Sequence, residues 1–281
     1  MAITAAQVKE LREMTGAGMM ECKKALTEAD ADMDKAVDLL REWGVAKVAK
    51  KAGRATNEGT IMALVSEDGK QGAIIELNCE TDFVGMNEKF KGYAESIAKI
   101  ALETKPADAE ACKANADVEA LITDCVHVMG ENTQLSRVAC IEGTGVCSYI
   151  HMGGKIGVLM QFDVEGIDPT SDAFVAYGRD VAMQVAAMSP VAPNRDAVPA
   201  DVVEKEMEIY KAQAAASGKP ENIQEKIATG RLEKFYAENC LTEQAFVKDG
   251  DLTIQTYTDK VAKELGGTIK VIDFVRYALG E

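Results

Sequence analysis

Aromatic residues are scarce, at 5% of the 281 residues, with a single tryptophan. Ala, Val, Ile, Leu and Met must therefore fill most of the core. Histidine is rarer still, at two, His127 and His151, which leaves little material for imidazole acid–base or metal chemistry. Basic charge is in deficit. Lys+Arg is 31 against Asp+Glu 46, a formal net charge of −15. That argues against non-specific binding to nucleic acid or anionic membranes, both of which need a basic surface. The deficit is uneven. Residues 1–60 hold ten Lys/Arg and ten Asp/Glu, so the remaining 221 carry all of the −15. No apolar run approaches the ~18 residues of a membrane span. The N-terminus lacks the basic-then-apolar layout of a signal peptide. Also missing are the phosphate-loop pattern GxxxxGK[ST], HExxH and GxSxG, so their chemistries lose their usual carriers. Seven cysteines, Cys22, Cys79, Cys112, Cys125, Cys140, Cys147 and Cys240, are an odd number without framework spacing. They point to reduced, buried thiols. The expectation is a soluble, cytoplasmic protein of about two domains.

What is present begins with helices. Thr4 and Gln7 are placed as a capping box for a first helix, broken at Gly16-Ala17-Gly18. A second runs from Met20 to Ala29. In the third, Ala36, Leu39, Leu40 and Trp43 recur at i, i+3, i+4, i+7, an amphipathic stripe, and Gly44 is the expected stop. Residues 45–58 then read as a linker with a basic run, Lys47, Lys50, Lys51 and Arg54. That run is either a solvated face or a contact to an acidic partner. From Gly59 the pattern changes to strands. Residues 60–65 and 73–77 form a hairpin, with Asp68-Gly69 expected as a type I′ turn. A helix follows with Phe90, Tyr93, Ile97 and Ile100 on one face. Pro106 interrupts it, helical residues run on to Met129, and Arg137–Ile141 is a strand. The second half repeats this plan. Val146–His151 and Ile156–Val164 are hairpin strands turning at Gly153-Gly154, Phe174–Met188 is a helix, and Thr268–Val275 is a last strand. Two pseudo-repeated α+β subdomains are expected.

Between them lies a different object. Val203, Met207, Tyr210 and Ala214 are spaced four, three, four, a coiled-coil seam. Ser217-Gly218-Lys219-Pro220 turns the chain. Ile223, Ile227, Leu232 and Phe235 return, and Gly230 is expected to let the two backbones approach. The result is an antiparallel helical hairpin that projects from the body.

Catalytic constellations are weak. Cys147 and His151 share one face of a strand but stand two pleats apart, outside hydrogen-bond reach. Cys140, Cys147 and His151 lack the close ligand pairs of a structural zinc site. Neither a catalytic residue, a metal nor a cofactor is expected. Two segments stand out instead. In Asn78-Cys79-Glu80-Thr81-Asp82-Phe83-Val84-Gly85, between strand and helix, Thr81 or Asp82 is the N-cap candidate. Phe83 and Val84 are either a hydrophobic staple on the helix or an apolar wedge for a partner's pocket, with Asp82 beside it. Met19 and Met20, at a turn, are either core filling or an adaptable exposed contact.

Both segments carry a resemblance. Val8-Lys9-Glu10-Leu11-Arg12-Glu13 with Thr15-Gly16-Ala17-Gly18-Met19-Met20-Glu21-Cys22-Lys23-Lys24-Ala25-Leu26 resembles the first signature of bacterial translation elongation factor Ts. Cys79-Glu80-Thr81-Asp82-Phe83-Val84 resembles the second. Gly130-Glu131-Asn132, Arg137-Val138, Ile156-Gly157-Val158-Leu159 and Ser217-Gly218-Lys219-Pro220 fall in that family's order. The resemblance implies a ubiquitin-associated-like three-helix domain (1–55), core subdomains at 56–140 and 141–281, and an inserted coiled-coil hairpin at about 199–240. It implies a non-enzymatic guanine-nucleotide exchange factor for elongation factor Tu. There Thr81, Asp82, Phe83 and Val84 would enter the GTPase and dislodge its Mg²⁺, while Arg12, Met19, Met20 and His151 would dock on it. Two departures matter. Gly85-Met86-Asn87 stands where many members carry Ala-Lys-Asp, which is expected to alter the stiffness of the corner. The last strand is followed only by Gly280-Glu281, so the C-terminal module of some members is expected to be absent. Two other classes compete on the residues alone. A non-enzymatic adaptor would bind without releasing nucleotide, and a thiol-dependent enzyme would lose activity when its cysteines are blocked.

Overall fold

The computed structural model describes residues 3–15, 17–216, 218 and 220–281, with the main chain alone at 45–50. Gly16, Ser217 and Lys219, placed above in turns, and the side chains of Lys47 and Lys50 lie outside the described residues. The first three helices are α1 (Ala5–Thr15), α2 (Met19–Glu28) and α3 (Met33–Lys51). The capping box forms: Thr4 N donates to Gln7 Oε1 at 3.0 Å and Gln7 N to Thr4 Oγ1 at 3.3 Å. Leu11, Cys22, Leu26, Ala36 and Leu40 make one apolar core with Trp43 against it. The Lys24 ammonium sits 4.4 Å above the indole. Gly44 does not stop α3, which runs on to Lys51, so half of the expected linker is helix. A glycine inside a helix costs about 1 kcal/mol but keeps its N–H. Here it faces Thr123, whose methyl a Cβ would meet at an ordinary 3.5 Å. The Lys51 ammonium then donates to the carbonyl of Gly130.

Next come β1 (Glu58–Val65), β2 (Gln71–Cys79), a short α4 (Asp82–Gly85), α5 (Glu88–Thr104), α6 (Ala109–Lys113), α7 (Ala116–Met129) and β3 (Gln134–Glu142). The strands form an antiparallel sheet in the order β1-β2-β3. The hairpin turn is not type I′, which needs positive φ at both central residues. Only Gly69 is positive, at +68°. Asp68 instead accepts from Ser66 Oγ at 2.6 Å and Lys70 N at 3.1 Å, and the Ser66 hydroxyl holds its carboxyl below the usual range. After β4 (Gly145–His151), β5 (Ile156–Glu165) and α8 (Asp172–Met188) come two long helices, α9 (Ala200–Ala215) and α10 (Glu221–Asn239). A small ribbon follows, β6 (Ala245–Phe246) with β7 (Asp249–Thr253), and then α11 (Ile254–Leu265) and β8 (Thr268–Ala278). The second sheet is antiparallel in the order β4-β5-β8, the same connectivity as the first. The ribbon and α11 carry no signal that the sequence analysis picked up. α11 opens on a Thr253/Thr256 capping box rather than the Ser/Thr-x-x-Glu/Gln form.

Side-chain alternation sets the layers. On β2, Ala73, Ile75 and Leu77 pack on Phe90, Ala94 and Ile97 of α5. Ile74, pointing the other way, meets Ile61, Val146 and Leu159 between the sheets. On β5, Val158, Met160 and Phe162 face Phe174, Tyr177 and Val181 of α8. The body is therefore helices, sheet, sheet, helices, and the fold is α+β. The sheets touch so closely at Gly157 that a Cβ there would lie 2.4 Å from Ile61 Cγ2. Arg137 of β3 spans the two sheets. It pairs with Glu76 of β2, donates to the Ala278 carbonyl of β8 at 2.7 Å and stacks 4.3 Å over Tyr277.

α9 and α10 pack on each other and fully bury only Ala214 and Ala228 along their length. Gly230 is not the point of close approach, because a Cβ there would meet nothing within 4 Å. At the base, Val198 and Cys240 are packed by Val203 and Phe235.

Candidate functional site

The segment after β2 is built from both directions. Thr81 is the N-cap of α4, in extended conformation at φ −126°, and accepts from Val84 N at 3.4 Å. Asn87, not Asp82, caps the long helix α5, accepting from Lys89 N at 2.9 Å. Asp82 is exposed. Phe83 is 80% exposed, which rules out the staple for that side chain. Val84 instead packs against the α5 side of the first sheet. Gly85 does not loosen this corner. It presses on β1, where a Cβ would lie 2.7 Å from the carbonyl oxygen of Gly59. Gly59 itself sits at φ +152° with no room for a side chain.

A second loop holds the base of the turn. Glu131, between α7 and β3, accepts from Glu80 N at 3.1 Å and Thr81 N at 3.0 Å through one oxygen, and from Thr81 Oγ1 at 2.7 Å through the other. Glu80 returns the contact, accepting from Asn132 N at 2.7 Å and from Arg54 Nη1 at 3.3 Å. The Asn132 amide donates to the Arg54 carbonyl at 2.8 Å. The Asn132 N–H, more than the Arg54 charge, holds the Glu80 carboxyl below its ordinary range. Arg54 of the basic run is thus engaged within the chain. Glu131 entered the sequence analysis only within Gly130-Glu131-Asn132, and Gly59 only as the start of the strands. Their roles at this turn gave no local signal, since each acts on a segment distant in sequence.

The remaining candidates lie apart. Arg12 is exposed on α1, and Met19 and Met20, at 58% and 74% exposure, open α2. Neither methionine fills the core. Beside them Glu21 approaches His127 of α7 at 3.8 Å, which ties the three helices to the body. His151 ends β4 half-buried, its Nδ1 2.8 Å from Tyr149 Oη. The hairpin tip beyond it is fastened to β1 by Ile61 N donating to Gly154 O at 2.8 Å. His151 and the Phe83 turn are therefore anchored on the same stretch of β1, Gly59 to Ile61.

Thiol chemistry finds no support here. Burial pushes the Cys147 thiol up to about 12, and burial with the Glu131 carboxylate does the same to Cys79. Neither is a thiolate near neutrality. Among the described residues, no group of three or more His, Cys, Asp or Glu could hold a metal ion, and no helix is long and apolar enough to cross a membrane.

The family model described as Elongation factor TS matches residues 80–281. Elongation factor Ts of Trichlorobacter lovleyi is 47% identical over 291 residues, covering 100% of this chain and 94% of that protein. Elongation factor Ts of Clostridium botulinum is 49% identical over 289 residues, covering 99% and 93%. The chain belongs to the elongation factor Ts family. It is a translation elongation factor. The family match opens at Glu80, the first residue of the clasped turn, and the relatives extend the likeness through the three N-terminal helices.

Proposed function

We propose that this elongation factor is a guanine-nucleotide exchange factor. It binds elongation factor Tu with GDP and weakens the hold on the nucleotide, so that GTP replaces GDP. The observation that carries this reading is a phenylalanine, 80% exposed, at the tip of a turn fixed at both ends. An apolar ring in water gains about 1.5–3 kcal/mol when a partner buries it. Phe83 is the wedge, with Thr81, Asp82 and Val84 forming its turn, and its entry near the nucleotide's Mg²⁺ dislodges the ion. Arg12, Met19 and Met20 form one docking surface and His151 another. Residues 1–55 act as a ubiquitin-associated-like docking domain, 56–140 and 141–281 as the two core subdomains, and about 199–240 as a coiled-coil arm. The setting is cytoplasmic.

No bond is made or broken in this reading, so the protein is not an enzyme and needs no cofactor. Factor and nucleotide weaken each other reciprocally, and each ~1.4 kcal/mol of coupling is tenfold in nucleotide affinity. One ring supplies about one or two such factors, and the docking surfaces supply the rest. Loss of Mg²⁺ adds a separate electrostatic contribution by uncovering the phosphates.

Stopped-flow release of a fluorescent GDP analogue from elongation factor Tu tests the reading. Strong acceleration by the wild type, reduced in a folded Phe83→Ala variant, is the expected result. Binding without acceleration would replace exchange by an adaptor role.

A further inference from the structure

We propose that Glu131 is a positioning residue for Phe83, and this inference rests on the exchange reading above. One carboxylate takes three hydrogen bonds, from Glu80 N, Thr81 N and Thr81 Oγ1, across 50 positions of sequence. Hydrogen bonds to an ionised acceptor are roughly twice as strong as neutral ones. Each of these lands on the two residues that enter the wedge turn. The Thr81 hydroxyl donates to Glu131 while its oxygen caps Val84 N at 3.4 Å. The carboxylate thus orients the cap, and the cap orients the single turn that carries Phe83.

The exchange is mutual. Glu80 satisfies Asn132 N at 2.7 Å on the loop that bears Glu131, so each loop caps the other's main chain. At the far end of the turn Gly85 is seated on Gly59. A four-residue helix has no stability of its own, so its geometry is set by these attachments. An apolar side chain held in place before binding loses less freedom on docking, and more of its burial is left for coupling.

Glu131→Met keeps the length of the side chain. It carries no oxygen to accept from the three donors, so all three bonds are lost. Three measurements are made on the full-length protein. The first is hydrogen exchange at the amides of residues 80 and 81, where protection falls by about tenfold, the worth of one such bond. The second is GDP release at saturating factor, which slows by about tenfold. The third repeats the release assay with Glu131→Met in a Phe83→Ala background, where the further change stays within about twofold because the group Glu131 acts through is gone. A role in folding alone would subtract the same factor in both backgrounds. Thr81→Val, which removes the hydroxyl and keeps the shape, provides an independent variant: protection falls at the Val84 amide, which loses its cap, and release slows in the Phe83 background only.

Unchanged protection at residues 80 and 81, or losses that multiply in the double variant, would overturn the positioning role while leaving exchange intact. A wild-type protein that does not accelerate release overturns the exchange reading itself.

Discussion

After β2 the chain enters α4 through Glu80 and Thr81; after β5 it enters α8 through Asp168, Pro169, Thr170 and Ser171. Each corner follows the second strand of a sheet with the same connectivity, and each carries a phenylalanine in the first turn of its helix. In the second corner the anchors are local. Asp168 accepts from Thr170 N at 2.9 Å and Thr170 Oγ1 at 2.8 Å, and Ser171 caps Phe174 N at 3.4 Å. Phe174 is fully buried, its ring 5.6 Å from Phe162. In the first corner Phe83 is 80% exposed. The caps are Thr81 and Ser171, so Phe83 stands two residues past its cap and Phe174 three. One residue is about 100° of helix rotation, which is enough to exchange core for solvent. The other difference is the source of the anchors. The second corner supplies its own, whereas the first borrows Glu131 and Asn132 from a distant loop. A residue's burial is thus set by helical phase, and its rigidity by what reaches it from elsewhere.

The comparison is sharpest in stability. Phe174→Ala is expected to cost about 3–5 kcal/mol in chemical denaturation, the range for truncating a buried aromatic. Phe83→Ala is expected to stay within about 0.5 kcal/mol while slowing nucleotide release. Equal costs at the two positions would mean that Phe83 belongs to the core. Gly85→Ala comes next, at about 1–3 kcal/mol, because the added methyl meets main chain rather than a yielding side chain. A neutral outcome in urea would restore the flexible corner expected from the sequence. Ser171→Ala should cost about 1 kcal/mol, the usual worth of a cap. Thr81→Val should exceed it, since Thr81 Oγ1 serves both Val84 and Glu131, and the reverse order would show the borrowed anchors to be idle.

The smallest effect is in pH. The Asn132 N–H holds Glu80 below its ordinary 4.5, and the Thr170 N–H holds Asp168 below 3.8. A depressed carboxyl stabilises the fold above its unfolded value and loses that contribution as pH falls through the folded one. Denaturation midpoints measured downward from pH 5 should fall for the wild type and fall less steeply for Glu80→Gln and for Asp168→Asn. Parallel slopes in all three would remove these carboxylates from the acid response.

Much of the local structure was legible. The Thr4/Gln7 box, the stripe from Ala36 to Trp43 and the two hairpins follow from periodicity and cap chemistry, because those forces act within a few residues. Gly44 misled because a glycine stops a helix where it turns to positive φ, and Gly44 keeps helical dihedrals inside α3. The ribbon and α11 escaped because Thr253/Thr256 departs from the usual box. At the candidate site the residues left staple and wedge open for Phe83, and the resemblance, not spacing, favoured the wedge.

Sequence alone determined the types of the amphipathic helices and the hairpin strands, the negative net charge and the family signatures, since composition, period and motif are properties of neighbours along the chain. The seat of Gly85 on Gly59, the Glu131 clasp and the shared anchoring of His151 on β1 were decided by the tertiary structure. Each is a contact between segments that are distant in sequence, and the sheets and connecting loops bring those segments together only when the whole domain packs.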